Sequence, residues 1–167
     1  MSGLPERMPR PDMSEAAVRS ALIGAWLLVD CTTYNPDGST SKPFGPRGIG
    51  QIMYSADGRM SAHLAAPDRP ATGTANYYDV AEPALAGLMR SYSGYWGRYS
   101  IDAAAGMVTH HVAGAWIPDF ALVDQQRFYA FDGDLLYLEA PLGDGLARLT
   151  WRRAAAEAAA TGASAAG

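Results

Sequence analysis

Two adjacent histidines are the residues of this sequence best suited to chemistry near neutral pH. His110 and His111 lie within a strand-like run at residues 107–116. Neighbouring side chains of a strand point to opposite faces, so only one imidazole can face an interior. Val108 and Val112 share the face of His110 and favour it as the inward one. There it would serve as a general acid or base, or simply hydrogen-bond a neighbour in a partly polar core.

One carboxylate falls on what reads as an apolar strand face. Residues 26–34 alternate with a period near two, which puts Asp30 on the face of Trp26 and Leu28. Burying a carboxylate is costly unless it is paired or protonated. Asp30 is therefore a candidate acid or base, or a group that orients His110. The structural alternative is a hydrogen bond to a hydroxyl or a backbone amide.

Tyrosines and arginines on the neighbouring strands could hold an oxygenated ligand. Tyr54 is predicted to face inward, where its hydroxyl could bind a carbonyl oxygen or an enolate. Tyr95 and Tyr99 share one face and Arg98 the other, and the alternation does not decide which face is inward. The predicted catalytic residues are His110, Asp30, Tyr54 and Tyr99. The predicted substrate-binding residues are Trp96, Arg98, His111, Tyr95, Arg127, Tyr129 and His63.

Motifs for metals, nucleotides and covalent catalysis are missing from the sequence. His63 could join a second histidine, but there is no His-x-His pair to place two ligands on one strand face. P-loop and dinucleotide fingerprints and the Gly-x-Ser-x-Gly elbow do not occur. We therefore expect no metal, no cofactor and no covalent nucleophile.

Composition describes one globular domain. The chain has 167 residues, of which 49% are apolar, and a formal charge of −4 from 13 basic and 17 acidic residues. This mild charge gives no reason to expect nucleic acid or an anionic membrane as a partner, and no run approaches the roughly 18 apolar residues of a membrane span. Cys31 is the single cysteine, and the start of the chain has no signal-like segment. A cytoplasmic protein is expected, and a homodimer remains open.

The positions of these residues depend on a series of short strands. We predict strands at 26–34, 48–55, 59–65, 94–102, 107–116, 124–132, 134–140 and 145–152. Ser14 would cap a short first helix, and a second helix around Pro83, with Asp79 as a candidate cap, would separate strands 3 and 4. The pattern predicts an all-β fold, an eight-stranded antiparallel up-and-down barrel, with a β-sandwich as the rival.

Segments outside the strands are assigned by composition. Residues 1–13, with three prolines, are predicted to be a flexible leader, and residues 154–167 an alanine-rich flexible tail. Residues 66–80 form a long polar connection that could act as a lid or serve only as a link. The ordered domain is predicted to span residues 14–153.

Four segments in order resemble the bacterial lipocalin-like domain family. They are residues 22–26 (LIGAW), 54–61 (YSADGRMS), 97–99 (GRY) and 109–112 (THHV). The resemblance implies a lipocalin-like barrel in which Trp26 plugs one end, with Arg152 or Arg153 across its ring. It also implies binding of small apolar ligands, and some lipocalin-fold proteins of biosynthetic pathways act as cyclases or isomerases on polyketide-like intermediates.

Three functions are compatible with these residues. The first is a cofactor-independent cyclase, isomerase or dehydratase of secondary metabolism, acting on a hydrophobic, oxygenated, polyketide-like intermediate through acid/base catalysis. In that case His110→Ala should abolish turnover and leave folding nearly intact. The alternative is a non-catalytic carrier of a hydrophobic ligand, and the third is a structural barrel with a filled core. Titratable groups converging on an open cavity would favour the enzyme.

Overall fold

The structure, a computed structural model, describes residues 4–155 and consists mainly of β-strands. Helix α1 spans Glu15–Leu22 and helix α2 spans Glu82–Arg90, with short 3-10 turns at Tyr77–Asp79 and Pro118–Leu122. The strands are β1 (Gly24–Tyr34), β2 (Thr40–Ser41), β3 (Ile49–Tyr54), β4 (Arg59–Ala65), β5 (Tyr92–Asp102), β6 (Met107–Ala115), β7 (Gln125–Asp132), β8 (Leu135–Leu142) and β9 (Gly145–Arg153).

Pairing of the first and last strands closes the sheet into a barrel. From β3 to β9 each strand pairs antiparallel with the next, and β1 pairs with both β3 and β9. Eight strands therefore form a closed ring, while the two-residue β2 pairs only with the last two residues of β1. The predicted barrel is confirmed and the β-sandwich is excluded.

Alternation along β5 decides which face of that strand is inward. Tyr95, Tyr99 and Ile101 are buried, whereas Arg98 is exposed and Trp96 is 56% exposed. Side chains of cross-strand neighbours lie on the same side of a sheet, so this strand also fixes the faces of β4 and β6. The two tyrosines point into the barrel, and Trp96 and Arg98 lie on its outer wall.

A β-bulge in β1 reverses the alternation that the sequence predicts. The register against β9 shifts between Leu28 and Asp30, and the extra residue, Val29, is 46% exposed. One inserted residue moves every later side chain of a strand to the other face. Trp26 and Leu28 pack in the core, but after the bulge it is Cys31 that does so. The prediction that Asp30 shares the face of Trp26 is therefore wrong.

Helix α1 and Trp26 close one end of the barrel. The Ser14 hydroxyl accepts a hydrogen bond from the Ala17 amide at 3.3 Å and caps the helix as predicted. Val18 is fully buried and Trp26 is 1% exposed. The Arg153 guanidinium lies 4.1 Å from the centre of the Trp26 ring, a favourable cation–π contact. The predicted plug is confirmed, and Arg153 is the arginine that covers it.

The described part of the leader, residues 4–13, packs along the outer wall of β7–β9. Arg148 donates to the Glu6 carbonyl at 2.6 Å, and Arg7 lies 4.0 Å from the centre of the Phe128 ring. Prolines prevent regular secondary structure, yet they leave carbonyl and side-chain groups free for such contacts. The prediction of a flexible alanine-rich tail concerns residues that, from 156 onward, lie outside the described part of the chain.

Helix α2 lies near the opposite end of the barrel, together with the loop at residues 43–47. Its N-cap is Ala81, which makes no side-chain hydrogen bond, so the proposed cap Asp79 is wrong; Asp79 instead accepts a bond from Asn76. A cleft of about 250 Å³ between the loop and the helix is lined by Phe44, Met89 and Trp116, among others. Within residues 4–155, neither helix has the length and apolar character needed to cross a membrane.

Candidate functional site

His110 lies at the centre of a buried polar cluster inside the barrel. Its side chain is fully buried, with Nε2 2.8 Å from the Tyr54 hydroxyl and Nδ1 2.9 Å from the Tyr95 hydroxyl. Strands β6, β3 and β5 supply the three residues, so three strands of the barrel wall position them. The structure places His110 inside, on the face that the neighbouring valines indicate.

The cluster holds one more hydrogen than its two hydrogen bonds use. Burial, then the nearby charges of Arg127 and His111, holds the pKa of His110 well below its usual range, so the imidazole is neutral near pH 7. Burial likewise raises the pKa of Tyr54 and of Tyr95. A neutral imidazole carries one N–H and each phenol one O–H. Whichever ring nitrogen carries its hydrogen, one phenolic O–H remains to be donated elsewhere.

Arg127 adds a positive charge beside this cluster. It lies opposite the buried Val108 on the inward face of β7 and is half-buried. Its guanidinium donates to the Gln126 carbonyl at 2.8 Å and to the Gln125 side-chain oxygen at 3.3 Å. Its charge opposes the effect of burial on the pKa of Tyr95.

Accessible surface remains on inward-facing apolar side chains away from α1. Cys31, Val112, Phe120 and Leu149 pack against the core, yet each is only half-buried. By contrast Leu22, Trp26 and Trp151, near α1, are almost completely buried. An inward-facing group with accessible surface requires space beside it for at least a water-sized molecule. The accessible apolar side chains and the Arg127 charge thus lie toward the same end of the barrel, away from α1.

Two further inward tyrosines differ in whether their hydroxyl groups are satisfied. Tyr99 donates to the Ser55 carbonyl at 3.0 Å and meets Tyr54 edge-on, with ring centres 5.0 Å apart. It therefore supports Tyr54. Within the described residues, the buried Tyr129 hydroxyl and the buried Trp151 indole N–H have no hydrogen-bond partner.

Several predicted site residues lie on the outer wall instead. The His111 imidazole lies 2.8 Å from both the Ser100 hydroxyl and the Asp124 carboxylate, which ties the chain before β7 to β6. His63 lies 2.6 Å from the Tyr92 hydroxyl on an exposed surface. Together with Trp96 and Arg98, these residues are separated from His110 by the wall of the barrel.

Asp30 does not join the His110 cluster. Its carboxylate accepts hydrogen bonds from Lys42 and, at 2.6 Å, from the Thr32 hydroxyl. Burial alone would raise the pKa of Asp30, but these two bonds leave it below its usual value. The carboxylate is therefore a paired, ionised group on the outer side of β1, because the bulge at Val29 turned it away from the core.

Phe120 is a site residue that the sequence analysis missed. Its ring centre lies 5.2 Å from that of Tyr95 and 4.9 Å from that of Trp116. It comes from the short 3-10 turn at Pro118–Leu122, which strand periodicity does not cover. The feature of the sequence that could have indicated it is an aromatic residue in the loop between β6 and β7.

The buried neutral imidazole predicts a pH dependence of stability. The pKa of His110 is lower in the folded chain than the value near 6.5 of an unfolded chain, so the unfolded state binds more protons at acidic pH. The contribution of His110 to the free energy of unfolding should be fully present above about pH 6.5. Below that pH the free energy of unfolding should fall, by up to about 1.4 kcal/mol per pH unit. Urea unfolding between pH 7.5 and 5 measures this slope. His110→Gln should flatten it and His63→Gln should not; equal slopes in all three proteins would contradict the assignment.

The barrel and the tryptophan that plugs it define a class of protein. A closed eight-stranded antiparallel barrel, plugged at one end by a tryptophan under an arginine, is a lipocalin-like barrel. The chain belongs to the lipocalin-like domain family, whose model matches residues 23–154. Comparison with curated proteins gives no match. A solved structure of a redesigned β-barrel is similar at 16% identity and a TM-score of 0.43, over 87% of this chain and 100% of that chain.

Proposed function

We propose that the protein binds a hydrophobic small molecule, carrying at least one acceptor oxygen, inside its barrel. The observation that supports this most is the phenolic hydrogen left over by the Tyr54–His110–Tyr95 chain. An unsatisfied buried donor costs about 1–3 kcal/mol, and a ligand carbonyl, hydroxyl or carboxylate oxygen would remove that cost. The lipocalin-like fold is one that encloses hydrophobic ligands, which supports the same function.

The apolar part of the ligand would lie against the half-buried interior side chains. Val112, Phe120 and Leu149 offer aliphatic and aromatic surface on the inward face. Burying about 200 Å² of ligand surface there would contribute roughly 5 kcal/mol before the cost of association. The affinity would therefore come from the apolar surface, and the orientation from the polar cluster.

A neutral dye tests this proposal. Nile red should fluoresce on binding, and Leu149→Gln should weaken its binding by about tenfold, because a buried apolar contact of roughly 1.5 kcal/mol is lost. Leu27→Gln is the matched control, since Leu27 is 49% exposed on the same barrel. Equal binding by both variants would mean that the dye binds the outer wall. No fluorescence change with the wild type would contradict the proposal.

A cofactor-independent isomerase, cyclase or dehydratase is a second candidate, favoured by one feature of the cluster. An imidazole bonded to two phenols can accept a hydrogen from one while donating its own to the other. Tyr95 could thus protonate a carbonyl oxygen while His110 returns a proton to Tyr95 and takes the proton of Tyr54. The Tyr54 phenolate would regain a proton from the α-carbon of the ligand, carried by a water molecule. Such acid catalysis contributes about 10²- to 10⁴-fold. Asp30 takes no part in this version of the mechanism.

Exchange of carbon-bound hydrogen separates the enzyme from the carrier. The protein should accelerate deuterium uptake at the α-carbons of 2-undecanone in D₂O, measured by NMR, because a donor at the carbonyl oxygen promotes enolisation. Tyr95→Phe should remove the acceleration and Tyr92→Phe, on the outer wall, should not. A protein that binds the ketone without accelerating exchange would be a carrier.

A further inference from the structure

Arg127 has only neutral acceptors as hydrogen-bond partners, although it is half-buried on an inward face. The acceptors within hydrogen-bond distance of its guanidinium are the Gln126 carbonyl and the Gln125 side-chain oxygen. Within residues 4–155, no carboxylate lies within 4.0 Å of its guanidinium, whereas the poorly exposed Arg148 bonds to the Glu139 carboxylate at 2.6 Å. A partly desolvated cation without a counter-ion is costly, and an anion beside it would offset that cost.

We infer that the polar group of the ligand is an anion, a carboxylate on a hydrophobic chain or ring, bound between Arg127 and Tyr95. This inference rests on the proposed binding function and specifies its ligand. The charge of Arg127 lowers the pKa values of His110, Tyr54 and Tyr95, and none of these three groups supplies a negative charge near pH 7. The charge of Arg127 is therefore available to a ligand.

The number of available hydrogens suits a carboxylate. A guanidinium has five N–H donors, of which the two glutamine contacts use two. Three remain for one carboxylate oxygen or both. The spare phenolic hydrogen of the cluster, when it lies on Tyr95, would reach the same group. A neutral ester offers weaker acceptors and no charge, so it would gain much less.

The experiment compares decanoate with methyl decanoate by displacement of Nile red. In the wild type, decanoate should bind about 10- to 100-fold more tightly than its ester, because charge-assisted hydrogen bonds to a partly desolvated arginine favour the ion. Arg127→Gln should bring the two affinities to within about twofold. Arg98→Gln removes the same charge from the outer wall and should keep the wild-type ratio.

The outcomes distinguish failure of this inference from failure of the proposed function. Acid and ester binding equally to the wild type would overturn the anion and leave a neutral ligand in the barrel. Equal loss in Arg127→Gln and Arg98→Gln would show a general effect of surface charge and also overturn it. If neither compound displaces the dye and the dye itself does not bind, the proposed function fails as well. Arg127→Lys, which keeps the charge, should retain much of the acid preference if Arg127→Gln folds poorly.

Discussion

His110→Ala should lower the free energy of unfolding by about 3 kcal/mol, measured by urea denaturation at pH 7.5. The substitution removes a fully buried ring and leaves a cavity among large side chains. It also leaves the hydroxyl groups of Tyr54 and Tyr95 without the partner that joins them, at about 1–3 kcal/mol for each group that stays unsatisfied. The expectation that this change leaves folding intact is therefore replaced by a large loss of stability.

The adjacent histidine is the matched control. His111→Ala removes the same side chain one residue away, but from the outer wall, where His111 is 44% exposed. Its bonds to Ser100 and Asp124 compete with water, so the loss should stay below about 1 kcal/mol. Equal losses in the two variants would contradict the interior position of His110. If His110→Ala also binds ligand less well, the measured loss must first be corrected for the larger fraction of unfolded protein. Only the remainder can be assigned to a lost contact between His110 and the ligand.

Arg148→Met should destabilise the protein by about 3–5 kcal/mol, again measured by urea denaturation. The substitution leaves the Glu139 carboxylate, which is 1% exposed, without its cation, and uncompensated buried charges cost about this much. It also releases the Glu6 carbonyl, so the leader should become accessible to proteolysis.

An exposed ion pair on the same strand provides the comparison. Arg152 pairs with Asp134, and the two side chains are 57% and 63% exposed, so Arg152→Met should cost less than about 1 kcal/mol. Adding Glu139→Gln to Arg148→Met removes the stranded charge and should restore much of the stability. Similar losses in the two arginine variants would mean that burial of Glu139 does not govern the interaction.

Most of the fold follows from local sequence signals. The predicted turns contain Gly38, Gly58 and Gly133, which have φ values of 84°, 83° and 58°, a region that glycine adopts without strain. Alternation between those turns identified the eight long strands. Closure depends on pairing between β1 and β9, more than a hundred residues apart, and no local pattern encodes it. The resemblance to lipocalin-like domains supplied that part.

The candidate site was only partly predictable, and β1 shows why. Alternation held from Trp26 to Leu28, but Val29 adds one residue to the strand and carries no residue type that marks a bulge. Extending the pattern through it placed Asp30 inside. In β6 no bulge intervenes between Val108 and His110, so the same reasoning put His110 on the correct face.

Contacts between distant segments account for the other differences. The prolines of the leader correctly indicated a lack of regular structure, but the ion pair to which residues 6–8 bind forms only when β8 and β9 meet. Arg127 was a candidate from sequence, yet its lack of a carboxylate partner depends on which side chains share its surroundings. Periodicity assigns a face and does not identify the neighbours across a barrel.

The single cysteine allows the central claim, a ligand inside the barrel, to be tested directly. Cys31 lies on the inward face opposite Leu149, and burial, followed by the charge of Asp30, raises its thiol pKa to about 11. N-ethylmaleimide should therefore alkylate it slowly, because the thiolate is the reactive form. Decanoate at ten times its dissociation constant should slow that reaction by about tenfold, while a Leu27→Cys, Cys31→Ser protein should react at an unchanged rate. Alkylation of Cys31 at the same rate with and without saturating decanoate would contradict binding in the interior.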